Sequence, residues 1–374
     1  MEAPMINIGF IGFGLIGASI AKSVKAKAEG KYVCHVYDYH TEENPVMDKA
    51  VSEGVIADWS KNICDLLDCD MLILCAPVLK NVEYLKTLKA AADEAGKKLP
   101  LITDVGSVKG NMVRAAAELG IGDRFLGAHP MAGSEKTGYD NATDHLLENA
   151  YYIITPSEHN SPEQIILLKD LIQDVGALPI MLEPEEHDRI TAVISHVPHI
   201  VAAELVNLVM NAGDDTEKMR LLAAGGFKDI TRIASSSPGM WRSIFIANKD
   251  AIMDTLDRFQ DALVKVEAAV ITGNGDYIYD DIKNAGEFRD SIPNSRGMFK
   301  ASYKIYIDIE DKIGAIATIA TMLVVSGISI KNIGIVHNRS YEQGVLRIEF
   351  YDAESMENAV TALESHSYTV YRND

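Results

Sequence analysis

The sequence predicts three parts: an α/β domain on a mostly parallel sheet, an all-helical domain, and a small βαββαβ module. Three observations carry that prediction. From residue 6 to residue 156, short β-branched runs alternate with helix-period segments, the pattern of βαβ units. After residue 183 the strand-like runs stop and long apolar helical patterns take over. Beyond a stretch rich in Gly, Pro, Asn and Ser at 284–297, read as a linker, the order strand, helix, strand, strand, helix, strand begins, which is the split βαβ of ferredoxin-like modules. The expected domains are therefore 1–182, 183–290 and 301–374.

In the first domain, strands are expected at 6–11, 32–37, 71–75, 101–103, 124–127 and 151–155. Amphipathic helices fall at 15–28 and 81–94, and a helix at 162–175 with a strand at 177–182 extends the sheet. The second domain opens with a long helix at 184–211, expected to kink at Pro198, which lacks an N–H to donate. Helical patterns follow at 216–223, 228–235, 240–245 and 250–271. They are too elongated to close a core alone, so a homodimer is expected. The third module has strands at 302–309, 328–337, 344–351 and 368–371, with helices at 313–326 and 356–365.

Composition excludes several function classes. The 374 residues are 47% hydrophobic and 24% charged, ordinary values for a globular chain. A formal net charge of −19 repels phosphate backbones and anionic lipid, so neither nucleic acid nor a membrane is an expected partner. The four cysteines, Cys34, Cys64, Cys69 and Cys75, form no CxxC pair, and reduced thiols suit a cytoplasmic location. The N-terminal MEAPMINIGF has no basic segment ahead of an apolar one, so no signal peptide is expected. No apolar run is read as reaching membrane length.

Gly12-Phe13-Gly14-Leu15-Ile16-Gly17 follows an expected strand and opens an expected helix. Glycine lets the backbone turn tightly and approach a pyrophosphate, and the N–H groups of the helix start then face the ligand. Asp38 ends the second strand about twenty residues later, where a carboxylate accepts from the ribose hydroxyls and repels a 2′-phosphate. Gly12, Gly14, Leu15, Ile16, Gly17 and Asp38 thus form the expected NAD site of a Rossmann-type domain.

Further stretches speak to the substrate: Asp104-Val105-Gly106-Ser107-Val108-Lys109, the run Gly127–Glu135 containing His129-Pro130, and Ser195-His196-Val197-Pro198-His199. Gly225-Gly226-Phe227-Lys228 through Arg232 and Pro238-Gly239-Met240-Trp241-Arg242 follow. Oxidation of a secondary alcohol needs a base for the hydroxyl proton, and a neutral imidazole suits that task. His129, after a sheet strand, is the expected base, and Ser107 is placed to bond the substrate hydroxyl and to orient it. Arg232 offers a planar fork for a carboxylate, with Lys228 one helical turn earlier. His196 and His199 share a face at i and i+3. No third ligand at metal spacing follows them, so no metal is expected. His187 reads as a capping or surface residue, and Trp241 as packing at a cleft or dimer wall.

Together these stretches, from residue 6 to about 270, resemble the prephenate dehydrogenase family, whose members make the tyrosine precursor 4-hydroxyphenylpyruvate. The resemblance implies that Arg232 binds the ring carboxylate, that His199 and His196 contact the rest of prephenate, and that Glu135 pairs with a cleft cation and gates access. The last module resembles an ACT domain through Asp311-Lys312-Ile313-Gly314 and Ser326-Gly327-Ile328-Ser329-Ile330. That resemblance implies tyrosine as an effector, with Asp311, Gly314 and Ser329 as regulatory positions. Ser329 stands where many ligand-binding ACT domains have asparagine. Arogenate dehydrogenase, a β-hydroxyacid dehydrogenase and a non-catalytic NAD and amino-acid sensor are the alternative readings.

Overall fold

The structure, a computed structural model, describes residues 5–39, 43–134, 136–292, 303–309, 312, 314–336, 344–366 and 368–372. It forms two compact units, Met1–Gly297 and Met298–Asp374.

The first unit is built on eight strands: β1 (Ile6–Ile11), β2 (Tyr32–Tyr37), β3 (Asp58–Ser60), β4 (Met71–Leu74), β5 (Leu101–Asp104), β6 (Phe125–Pro130), β7 (Tyr151–Thr155) and β8 (Leu178–Met181). Their order in the sheet is β3-β2-β1-β4-β5-β6-β7-β8. All neighbouring pairs are parallel except β6 and β7. β4 shows why such strands read as unbroken apolar runs. Met71 and Ile73 enter the core on one face of the sheet, Leu72 and Leu74 the core on the other, because successive side chains alternate and helices cover both faces.

The expected strands are found. β3 was not foreseen: three residues, Asp-Trp-Ser, are too few to show a period, and they pair only at the sheet edge. Nor was the helix Gly275–Ser291, whose second half lies in the expected linker. Asn274 caps it by accepting from the Tyr277 N–H, which offsets the weak propensity of its glycines.

The helical segment belongs to the same compact unit as the sheet. Asp188 of the helix Pro184–Thr191 accepts from backbone N–H groups at the end of the β5 loop, and Pro238–Ala247 packs on the sheet helix Val78–Ala95. Instead of a simple proline kink, a π-helical turn at Ala192–His196 joins Pro184–Thr191 to Val197–Met210. Widening the turn makes room for Pro198, whose ring would otherwise strike the carbonyl one turn back. The joined helix Pro184–Met210 is long and apolar enough to cross a membrane, which corrects the expectation that no stretch reaches that length. Its length comes from joining the polar helix Pro184–Thr191 to the apolar helix Val197–Met210 across that turn. It carries His196 and His199, both buried against neighbouring helices.

In the second unit β9 (Tyr303–Ile309), β10 (Asn332–Val336), β11 (Gly344–Phe350) and β12 (Val370–Arg372) form an antiparallel sheet of order β10-β11-β9-β12. Helices Ala315–Val325 and Ala353–Ser365 cover one face, with Ile319, Leu323, Ala359 and Leu363 packed against Ile305, Ile307, Leu346 and Ile348. This is the expected βαββαβ order.

Candidate active site

Because β1, β4, β5 and β6 are parallel, the loops after them emerge at one edge of the sheet. The chain's progress across the sheet reverses at β1, the place where open α/β sheets collect ligands. Gly12 follows β1 with φ of +90°, and a Cβ there would lie 3.0 Å from the Ala76 nitrogen. A Cβ on Gly17 would lie 2.9 Å from the Gly12 carbonyl oxygen, so the helix Leu15–Lys27 sits closer to the strand than any larger residue permits. Gly14 faces open space. Its carbonyl accepts the first helical bond, from Ala18, and no side chain caps the helix. The N–H groups of Leu15, Ile16 and Gly17 are left for a ligand. That cradle fits a pyrophosphate. Asp38, just past β2, is half-buried, and its carboxylate accepts from the Asn44 amide at 2.6 Å.

His129, near the end of β6, has its Nδ1 2.9 Å from Nε2 of His187. His187 Nδ1 in turn lies 2.8 Å from Asp188 Oδ1. Asp188 also accepts from the N–H groups of Lys109 at 2.7 Å and Gly110 at 2.8 Å. Burial alone would raise its carboxyl pKa, but these hydrogen bonds outweigh burial and hold it low. The carboxylate therefore fixes a proton on His187 Nδ1, leaving His187 Nε2 as acceptor. His129 must then donate from Nδ1, and its Nε2 keeps a free lone pair. Dense surroundings push the His129 imidazole well below its ordinary pKa, with His187, Lys109 and His196 adding to the effect, although one edge of the side chain still reaches solvent. The result is a neutral imidazole with a fixed tautomer.

Beneath this chain lies a fully buried ion pair between Lys109 and Asp104. Lys109 Nζ also donates to the Ala128 carbonyl at 2.7 Å, and Asp104 accepts from the Ala128 N–H at 3.2 Å. Both residues thus grip the backbone immediately before His129.

The expected residues are brought together unevenly. Ser107 is half-buried in the same β5 loop but makes no hydrogen bond to His129; His187 orients the imidazole instead. His187 is no cap or surface group but a fully buried one. His196 and His199 are both buried, and both pack on Trp241: the His199 ring stacks on the indole at a centroid distance of 3.6 Å, and His196 meets it edge-on. Trp241 therefore packs within this chain, between the rings of His196, His199 and Phe245. Lys228 lies in the helix Gly225–Thr231, and Arg232 opens the turn Arg232–Ala234. Both are exposed, and the Arg232 turn packs on the helix carrying His199. Glu135 lies outside the described residues, as does Asp311. Gly314, with φ of +87°, precedes the helix Ala315–Val325, and Ser329 is exposed beyond its other end.

Sequence reasoning missed three members of the site: His187, Asp188 and Asn248. The adjacent His187-Asp188 pair at a helix start was the available signal for the first two. Asn248 has none, since an Asn after a helix reads as a cap.

Residues 20–181 match the model of the prephenate dehydrogenase nucleotide-binding domain and residues 183–284 that of the prephenate dehydrogenase dimerization domain. The chain is 37% identical over 359 residues to the prephenate dehydrogenase of Bacillus subtilis (strain 168), covering 95% of each. It belongs to the prephenate dehydrogenase family. A prephenate dehydrogenase of Lactococcus lactis subsp. cremoris is 31% identical, over 96% of this chain and 98% of its own. The prephenate dehydrogenase of A. aeolicus, solved with hydroxyphenyl propionate and NAD+, superposes with a TM-score of 0.70 at 32% identity, covering 78% of this chain and 100% of that one. The chain is accordingly an NAD-dependent dehydrogenase of aromatic amino acid biosynthesis. The nucleotide-binding model begins past Gly17, so the glycine turn stands on its own geometry.

Proposed function

We propose that the site around His129 carries out the oxidative decarboxylation of prephenate to 4-hydroxyphenylpyruvate. The observation that carries this reading is the Asp188–His187–His129 chain, which leaves a neutral base with its lone pair free at the sheet edge that also bears the glycine cradle. NAD, held at the glycine turn after β1, would supply the hydride acceptor for the ring carbon bearing the hydroxyl. His129 Nε2 removes the hydroxyl proton, and the charge it gains is shared through His187 with Asp188. Loss of the ring carboxylate as carbon dioxide aromatises the ring and makes the step irreversible.

Gly12, Gly14, Leu15, Ile16 and Gly17 hold the pyrophosphate, and Asp38 takes the ribose hydroxyls and disfavours a 2′-phosphate. Ser107 bonds the substrate hydroxyl. Arg232, with Lys228 beside it, holds the ring carboxylate; His199, His196 and Trp241 line the remainder, and Glu135 gates the entrance. Prephenate is preferred to arogenate in this reading because the two relatives matched over nearly the whole chain, those of Bacillus subtilis and Lactococcus lactis, are named prephenate dehydrogenases.

His129→Asn should lower kcat by about 10²–10⁴ with NAD affinity unchanged, the usual contribution of a general base. NADH formation with prephenate and with arogenate in parallel tests the substrate. Near-normal kcat in the variant removes His129 from this role, and faster turnover of arogenate reverses the preference.

The functional form is a homodimer, supported by the match to a dimerization domain and by the exposed apolar helices. The C-terminal unit is an ACT-type tyrosine sensor in this reading, supported by its element and sheet order. Gly314 and Ser329 lie at opposite ends of an 11-residue helix, about 16 Å long at 1.5 Å per residue. That length of helix between them favours an effector bound between two modules over one held within a single protomer.

A further inference from the structure

Asn248 is buried in the junction between the helices Pro238–Ala247 and Lys249–Thr272. Its Nδ2 lies 2.9 Å from the Asp188 carbonyl oxygen and 3.0 Å from His196 Nδ1. A backbone carbonyl only accepts, so the atom facing it must be the amide nitrogen, and the alternative amide orientation would set two oxygens against each other. With one amide hydrogen on that carbonyl, the other goes to His196. His196 Nδ1 is then the acceptor, and the imidazole proton sits on Nε2.

That Nε2 is buried and has no hydrogen-bond partner among the described residues. The same holds for two atoms on the rings beside it, His199 Nδ1 and Trp241 Nε1. Burying a polar nitrogen with no partner is costly, so a group of them calls for a specific explanation. Burial, with His187 and His199 nearby and Asp188 opposing them, pushes the His196 imidazole down to about 4. The ring is neutral at physiological pH.

We propose that Asn248 is a positioning residue that locks His196 in its Nε2–H form, so that His196 presents a neutral N–H donor to a carboxylate or carbonyl oxygen of the substrate. The inference rests on the placement of substrate beside His129 proposed above. It adds a reason for Asn at 248: an acceptor there would move the His196 proton to the wrong nitrogen. Asn248 also ties that tautomer to the catalytic chain, because its other hydrogen holds the backbone of Asp188.

Nitrogen NMR of the full-length, ¹⁵N-histidine-labelled enzyme reads the tautomer directly, with His196 assigned by its missing signals in His196→Gln. The wild type should show a protonated Nε2 and an unprotonated Nδ1, and 4-hydroxyphenylpyruvate added with NADH should shift the Nε2–H resonance. In Asn248→Asp, nearly the same size, the carboxylate should draw the proton to Nδ1, raise the pKa of His196 and raise KM for prephenate about tenfold; it also faces the Asp188 carbonyl, so kcat should fall as well. A wild-type His196 protonated on Nδ1 overturns the proposal whether or not any variant folds. An Nε2–H signal that ignores the product, or an unchanged KM in a folded Asn248→Asp, overturns the substrate contact. Near-normal turnover in His129→Asn would undo the placement of the substrate beside His129 and leave the His196 tautomer, read separately by NMR, standing.

Discussion

At the scale of single residues, the site depends on who protonates whom. In the proposed mechanism His129 can act as a base because His187 accepts from its Nδ1, and His187 can do so because Asp188 keeps the proton on its other nitrogen. His187→Gln should therefore lower kcat by about 10² with little change in KM, since it removes a charge-sharing partner but no substrate contact. Stopped-flow measurement of NADH formation separates the two effects, and an unchanged kcat would leave His187 a packing residue. The first and last links of the site differed in legibility. Gly12, Gly14, Gly17 and Asp38 announce themselves because one local turn dictates residue type at fixed spacing. His129 was legible from its place after a strand. His187, Asp188 and Asn248 were not read, because their roles come from contacts spanning about 50 to 80 residues of chain; the adjacent His187-Asp188 pair was a local hint, but a histidine near a helix start is more often a cap or surface group.

At the scale of elements, periodicity recovered what is long and apolar and lost what is short or at an edge. β1, β2 and β7 are found at the expected residues, since their β-branched runs are bounded by turns. β3 has only three residues at a sheet edge, and the π-helical turn before Pro198 has no sequence period of its own. The loop after β5 hides the clearest case. Lys109 reads as one more polar loop residue, yet it is fully buried beside Asp104 and holds the Ala128 carbonyl. Replacing it by Met would keep much of the volume and leave Asp104 as an uncompensated buried charge, at a cost of about 3–5 kcal/mol. Because the same contacts fix the backbone before His129, Lys109→Met should lose kcat as well as stability. Chemical denaturation with a parallel assay checks both; loss of neither would make the pair incidental to β5 and β6.

At the scale of the whole molecule, the buried histidines set a pH limit on stability. Burial lowers the imidazole pKa of His129, His187, His196 and His199 in the folded protein. Below about 6.5 the unfolded chain takes up protons that the folded one refuses, so stability falls as pH falls, down to about 4 for His196. At pH 5.5 that is about 1.4 kcal/mol for His196. Protonation also relieves repulsion within a chain of net charge −19, which acts the other way. The slope of melting temperature against pH in His196→Gln isolates the histidine contribution, and an unchanged slope refutes it. A second whole-molecule property is the apolar surface of the helical segment, where Leu208 is 71%, Leu221 85% and Ile271 76% exposed. Monomers rarely leave so much of such surface uncovered, so sedimentation should find a dimer at assay concentrations. Feedback requires more than a dimer. Tyrosine must bind one conformation better than another, with a coupling of typically about 1–3 kcal/mol. Tyrosine also resembles the product, so it can inhibit simply by occupying the site near His199, and inhibition alone does not distinguish the two accounts. A chain ending at Pro293 does. If the C-terminal unit is the sensor, the shortened enzyme keeps its kcat and loses its response to tyrosine. If inhibition persists in full and competes with prephenate, tyrosine acts at the catalytic site and the C-terminal unit has another role.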